Sequence, residues 1–235
     1  MKWLRTLILF EKGNVINSAD WATVHDSYVR SIASVHHPLG SGALTLRRKM
    51  RLPNGQWQRN GVGFLRSHFL RHMQEVEKWE AEGGVDLGRD RVQPPIKLYP
   101  SLEDYRESIT SDFGGFDFIT AGAGGYRVAI EWETGNISSS HRSMNKLAIA
   151  LAHGILQIGV LILPSRLLYE HLTDRIGNIG ELSGYLAMWE GLKATVDTGL
   201  LAITVVEHDH LTDDPALPYL PMGNDGRAKE GRAKI

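Results

Sequence analysis

The 235-residue chain carries 26 Lys and Arg against 27 Asp and Glu, a formal net charge of −1, and no cysteine. The length suits one domain with a sizeable core, and the near-neutral charge argues against a protein that coats nucleic acid indiscriminately. Lack of cysteine removes disulfides, zinc thiolate sites and thiol catalysis and points to a reducing cytoplasm.

Residues 1–10 contain an apolar patch, but Arg5 interrupts it and no small-residue cleavage site follows, so no secretory signal is read there. Residues 18–34 form the first expected helix, with Ser18 as N-cap and Trp21, Val24, Tyr28 and Ile32 on one stripe. Residues 44–52 read as a strand turned by Pro53-Asn54-Gly55. Cations cluster here: Arg47, Arg48, Lys49 and Arg51, with Arg66, Arg71, Arg127, Arg142 and Arg175, could give the molecule one positive face. A second helix is expected over 62–79, where Val62, Leu65, Phe69, Met73 and Val76 share a stripe. Glu82 follows this helix, near the negative end of its dipole, where a purely structural carboxylate is mildly unfavourable. Residues 83–100 read as loop with a strand at 96–99, and 102–109 as a short helix.

The stretch 114–146 organises the chain. Two short β-branched or aromatic runs, 116–119 and 126–133, flank Ala121-Gly122-Ala123-Gly124-Gly125, which is the pattern of a hairpin. Residues two apart on a strand share a face, so Glu131 and Glu133 point together, and antiparallel pairing sets Asp117 opposite them. Carboxylates held that close raise one another's pKa unless a cation lies among them, and hard oxygen ligands suit magnesium. A lone Glu-x-Glu more often marks the solvated face of a half-buried strand; Asp117 and the polar segment after Glu133 shift the balance toward a site.

Beyond the hairpin, Met144, Leu147, Ala148 and Leu151 mark a helix closed by Gly154. Residues 158–163 form a continuous apolar run ending in Pro164, the pattern of a strand buried on both faces and far too short for a bilayer span, so no membrane association is expected. Helices at 165–172 and 181–189 and a buried strand at 200–206 complete an α/β domain, a central mixed β-sheet flanked by helices. From about residue 209 the chain is rich in Pro, Gly and charge and reads as a flexible C-terminal arm.

The run from Glu131 to Leu147, Glu-Trp-Glu-Thr-Gly-Asn-Ile-Ser-Ser-Ser-His-Arg-Ser-Met-Asn-Lys-Leu, closely resembles the active-site segment of the BamHI family of type II restriction endonucleases. The likeness extends upstream through Asn60-Gly61-Val62 and Trp79 to Gly114-Gly115, and downstream through Leu172-Thr173-Asp174-Arg175 to Asp225-Gly226. It implies the PD-(D/E)xK nuclease core and Mg2+-dependent hydrolysis of double-stranded DNA at a palindromic site, GGATCC or a close relative. Asp117 and Glu131 are then metal ligands, with Glu82 a further candidate, although Glu80 lies close enough for that alignment to slip. Glu133 stands where most of the superfamily places lysine, a departure characteristic of this family, and can accept a proton from the attacking water.

The resemblance also implies that Asn136, Ser138, Arg142, Asp174 and Arg175 read bases, and that Arg66 stands where the family has a lysine. That change replaces a point charge with a planar fork. Taken singly, Asn136 also reads as a turn residue, Ser138 to Ser140 as caps of a helix starting near Arg142, and Asp174-Arg175 as a local ion pair. A palindromic target implies a homodimer, with His153 and Glu190 at its interface, while Ala152 and Ala187 stand where charges are expected. Gly223, in the arm, matches a segment that approaches the minor groove, and a cognate DNA methyltransferase belongs to such a system as a functional partner. Two rival functions compete with this one. A glycosidase needs carboxylates spaced to flank a sugar linkage, which Glu131 and Glu133 are not. A non-cleaving, sequence-specific DNA-binding protein on the same scaffold is the alternative from another class.

Overall fold

The computed structural model describes residues 1–81, 115–133, 135–173 and 176–221. The chain opens with an edge strand, β1 (Lys2–Lys12), followed by α1 (Ala19–Ala33). Ser18 caps α1 as expected, its Oγ accepting from Trp21 N at 3.0 Å. The expected strand at 44–52 is broken into β2 (Thr45–Arg47) and β3 (Met50–Arg51), and β3 pairs with β4 (Trp57–Gln58) across the Pro53-Asn54-Gly55 turn.

Helix α2 (Gly63–Glu75) stops short of the expected residue 79. Lys78 adopts a left-handed φ of 62°, which turns the chain so that Trp79 folds back into the core and donates its indole N–H to Ser27 Oγ at 2.8 Å. Residues 80–81 are then a short strand, β5 (Glu80–Ala81), not a helix end. The helix-dipole expectation for Glu82 therefore has no basis, and Glu82 itself lies outside the described residues. So do the strand and helix expected at 96–99 and 102–109.

The hairpin is present as β6 (Phe118–Ala121) and β7 (Arg127–Trp132). Its turn is held from α1, where Asp20, 3% exposed, accepts from Gly124 N at 2.7 Å and Tyr126 N at 3.0 Å. A Cβ at Gly122 would fall 2.3 Å from the Asp20 carboxyl carbon, so the clamp needs glycine there. Next come α3 (Ile137–Ala152), β8 (Ile158–Pro164), α4 (Arg166–Tyr169), α5 (Ile179–Leu182), α6 (Leu186–Glu190), β9 (Gly199–Glu207) and β10 (His210–Thr212).

Six strands form one sheet in the order β1-β9-β8-β7-β6-β5, parallel where β8 meets β7 and β9 and antiparallel elsewhere. Alternation along the strands divides the core. Ile130, Val160 and Ala202 face α1 and α2, whereas Ala129, Leu161 and Ile203 face α3 and α6. Burying both faces needs apolar residues at consecutive positions, which is why β8 and β9 read as unbroken runs.

Residues 209–221 do not form the arm expected from about residue 209. β10 pairs in parallel with β2, Leu220 is 2% exposed, and Tyr219 donates its hydroxyl to Arg48 O at 2.6 Å. Apolar and aromatic side chains hold 209–221 against the body despite their prolines; Gly223 lies outside the described residues.

Candidate active site

The register of the hairpin, Phe118 opposite Ile130 and Ile119 opposite Ala129, carries Asp117 to the strand end beside Glu131. Asp117 Oδ2 accepts from Trp132 N at 2.8 Å, which fixes that carboxylate across the pair. Glu131 is 6% exposed and Glu133 5%. Glu133 follows the last residue of β7, and its Oε1 accepts from Gly135 N at 2.5 Å. The three acids are close enough to be felt together. Burial pushes the Glu131 carboxyl up to about 7, Lys146 opposes that rise, and the charges of Asp117 and Glu133 add to it.

Two protein cations enter this acidic corner. Lys146, 4% exposed on α3, reaches Glu131 Oε1, donates to Gly115 O at 2.6 Å, and sits 4.6 Å from the centre of the Phe116 ring. Arg66, on α2, donates to Asp117 Oδ1 at 2.8 Å. Among the described residues no group of three or more His, Cys, Asp or Glu is arranged to hold a metal ion. The expected convergence of three carboxylates is thus partial: the acids adjoin, but Lys146 and Arg66 supply the positive charge between them. The donor chemistry still fits a hard divalent cation, because Asp117 and Glu131 offer carboxylate oxygens whose mutual repulsion such an ion would relieve. Lys146 does not stand out in the sequence, where it lies beside the apolar stripe of its helix and no local pattern pairs it with Glu131.

The base-reading candidates divide into two groups. Asn136 is the N-cap of α3, its side chain accepting from Ser139 N at 3.2 Å, so the helix starts five residues before the expected Arg142. Ser138 and Arg142, four apart on the same helix face, are exposed and make no hydrogen bond or ion pair among the described residues. Asp174 and Arg175 lie outside the described residues. Their neighbours are anchored here: Thr173 N donates to Asn60 O at 2.7 Å, Ile176 bridges Asn136, and Gly177 N donates to Gly135 O at 3.0 Å. A Cβ at Gly177 would come within 2.0 Å of Ser140 Oγ, so glycine permits this approach to α3.

His153, at the C-cap of α3, and Glu190, at the end of α6, are both exposed. The two helices are joined by the Trp189 indole N–H, which donates to Asn145 Oδ1 at 3.1 Å, and Tyr185, just before α6, makes a ring contact of 4.3 Å with His141.

Comparison with known proteins places the chain in a family. The type II restriction enzyme OkrAI of Oceanobacter kriegii is 47% identical over 169 residues, 72% of this chain and 74% of that one. The type II restriction enzyme BamHI of Bacillus amyloliquefaciens is 38% identical over 108 residues, 46% of each chain. The crystal structure of restriction endonuclease BGLII complexed with a DNA 16-mer aligns over 88% of this chain and 79% of its own, with a TM-score of 0.48 and 8% identity. The family model described as Restriction endonuclease BamHI matches residues 1–227, and the chain belongs to that family.

Proposed function

We propose that this chain is a homodimeric, Mg2+-dependent type II restriction endonuclease that hydrolyses both strands of DNA at a palindromic site, GGATCC or a close relative. The observation that carries the reading is Asp117, held by Trp132 N beside Glu131 at the end of the β6–β7 hairpin, where the chain leads on into α3 with its exposed Ser138 and Arg142. Chemistry and candidate base contacts therefore share one end of the sheet.

In this reading Asp117 and Glu131 hold the cation, with Glu82 as a further ligand. Bound there, a divalent ion neutralises phosphate charge and lowers the pKa of a water. The chain's own residues do the rest. Glu133 accepts the proton released by the attacking water, a role a carboxylate can fill and a protonated lysine cannot. Lys146 keeps the Glu131 carboxylate in place from α3. Arg66 spends one guanidinium nitrogen on Asp117, and its remaining donors are available to DNA.

Asn136, Ser138, Arg142, Asp174 and Arg175 read base edges, with arginine suited to guanine and Asn136 to adenine. His153 and Glu190 belong to the twofold interface, and Gly223 allows close approach of backbone to the minor groove. The setting is cytoplasmic, with a methyltransferase protecting the same site.

A second reading, a DNA-binding protein that does not cut, is favoured by one observation: Glu131 and Asp117 are already neutralised by Lys146 and Arg66. Incubating plasmids with and without GGATCC, in magnesium or in calcium, separates the two. Cleavage at GGATCC in magnesium, with sequenced ends at one position, supports the nuclease. Specific binding in calcium with intact plasmid in magnesium supports the second reading.

A further inference from the structure

Residues 47–59 hold Arg47, Arg48, Lys49, Arg51 and Arg59 and no Asp or Glu, in a chain of net charge −1. They form the β3–β4 hairpin and its approach, closed by Gly55 N donating to Leu52 O at 2.8 Å. Core packing does not account for this element, since Trp57 is 51% exposed and Met50 42%. Cations border the exposed ring instead: Lys49 Nζ lies 5.5 Å and Arg59 Cζ 6.0 Å from the Trp57 centroid, while Arg47 Cζ stands 4.8 Å from that of Tyr219. Acids only partly offset the charge, through Arg48 with Asp213 and Lys49 with Glu170, each at 3.3 Å. Among the described residues Arg51, exposed, has no carboxylate partner, and Arg59 Nε, shielded from solvent, has no hydrogen-bond partner.

The hairpin is hydrogen-bonded, through Asn60, to the segment that leads up to the base-reading candidates Asp174 and Arg175. Its last strand runs into Asn60, 0% exposed, whose Nδ2 donates to Arg47 O at 2.8 Å and His171 O at 3.1 Å. Asn60 O accepts from Thr173 N, the residue before Asp174. Asn60 Oδ1 accepts from Leu220 N at 3.2 Å. A displacement of the hairpin would therefore be felt directly at residues 171–173.

Resting on the reading above that the ligand is duplex DNA, we propose that the β3–β4 hairpin is a clamp on the sugar–phosphate backbone beside the base-reading segments. Its cations suit phosphate rather than bases. Base readout needs donors fixed in direction, whereas these guanidinium and ammonium groups lie over aromatic rings and keep several donors free. Trp57 supplies a flat apolar support for Lys49 and Arg59 and a face for sugar.

The test is the salt dependence of binding to a labelled duplex lacking GGATCC, followed by fluorescence anisotropy in calcium for the wild type, Arg51→Gln and Arg51→Gln/Arg59→Gln. Removing one cation that neutralises a phosphate should flatten the slope of log K against log salt by about 0.9. The expected result is a flatter slope in both variants, by up to about 1.8 in the double one, with unchanged thermal unfolding of Arg51→Gln. Wild-type slopes in both variants overturn the clamp while leaving the endonuclease reading intact. If the wild type fails to bind any duplex, the endonuclease reading falls and the clamp with it.

Discussion

The ammonium of Lys146 meets the carboxylate of Glu131 inside the protein, both side chains under a tenth exposed, on elements that approach only in the folded state. A buried pair contributes little against an apolar substitute, yet losing one partner strands the other charge. Lys146→Met should destabilise the protein by about 3–5 kcal/mol in urea unfolding. Lys146→Met/Glu131→Met should recover most of that loss. A single variant as stable as the wild type would show that the two charges do not depend on each other.

Asp117 is the cleaner probe of the chemistry, because asparagine keeps an oxygen to accept from Trp132 N. Asp117→Asn should therefore fold and bind cognate duplex, yet cut at least about a hundredfold more slowly, the scale already reached by loss of groups that only support metal ligands. Single-turnover cleavage and a binding assay in calcium check this. Wild-type cutting by this variant would remove Asp117 from the site.

Arg142 projects from the second turn of α3 with no partner to hold it among the described residues. Arg142→Ala should reduce discrimination between GGATCC and a site changed at one base pair by about 1–3 kcal/mol, leaving the fold untouched. Competition binding with each singly altered site measures it. Equal discrimination at every position would return Arg142 to the ordinary surface.

Helix α1 and the turn that follows α2 are joined by Arg30 and Glu77, whose hydrogen bonds at 2.9 and 2.7 Å hold the Glu77 carboxyl below its usual pKa, with Ser27 contributing. A lowered folded pKa means that the stabilisation is fully present above the unfolded value and is lost as pH falls through the folded one. Arg30 is well exposed, so the effect is about 1 kcal/mol or less. Glu77→Gln should lower the urea midpoint near neutrality and converge on the wild type in acid. A gap that persists in acid would point to packing rather than charge.

Much of the fold was legible because periodicity and burial agree. The stripe Trp21, Val24, Tyr28 and Ile32 with its Ser18 cap, the glycine-rich hairpin, and the unbroken runs of β8 and β9 each have one reading. β1 escapes because an edge strand buries few side chains, and Arg5 within it imitates a break. The end of α2 misleads because Val76 continues the stripe while Lys78 leaves the helical conformation, a turn driven by where Trp79 finds its partner. In the site, Asp117 beside Glu131 follows from strand register. Lys146 and the Arg66–Asp117 contact do not, since each joins helix to sheet over distances in sequence that no local pattern spans.

The pairing of β1 with β9 sets an order of events during synthesis. Lys2 lies opposite Glu207 and Lys12 opposite Gly199, so β1 finds no neighbour in the sheet until the chain as far as β9 has been made. Such long-range closure is slow to form. A nascent chain ending before residue 200 lacks both the partner of β1 and the support of β8 on that side, so a truncated product would carry the acidic hairpin without the frame that aims it.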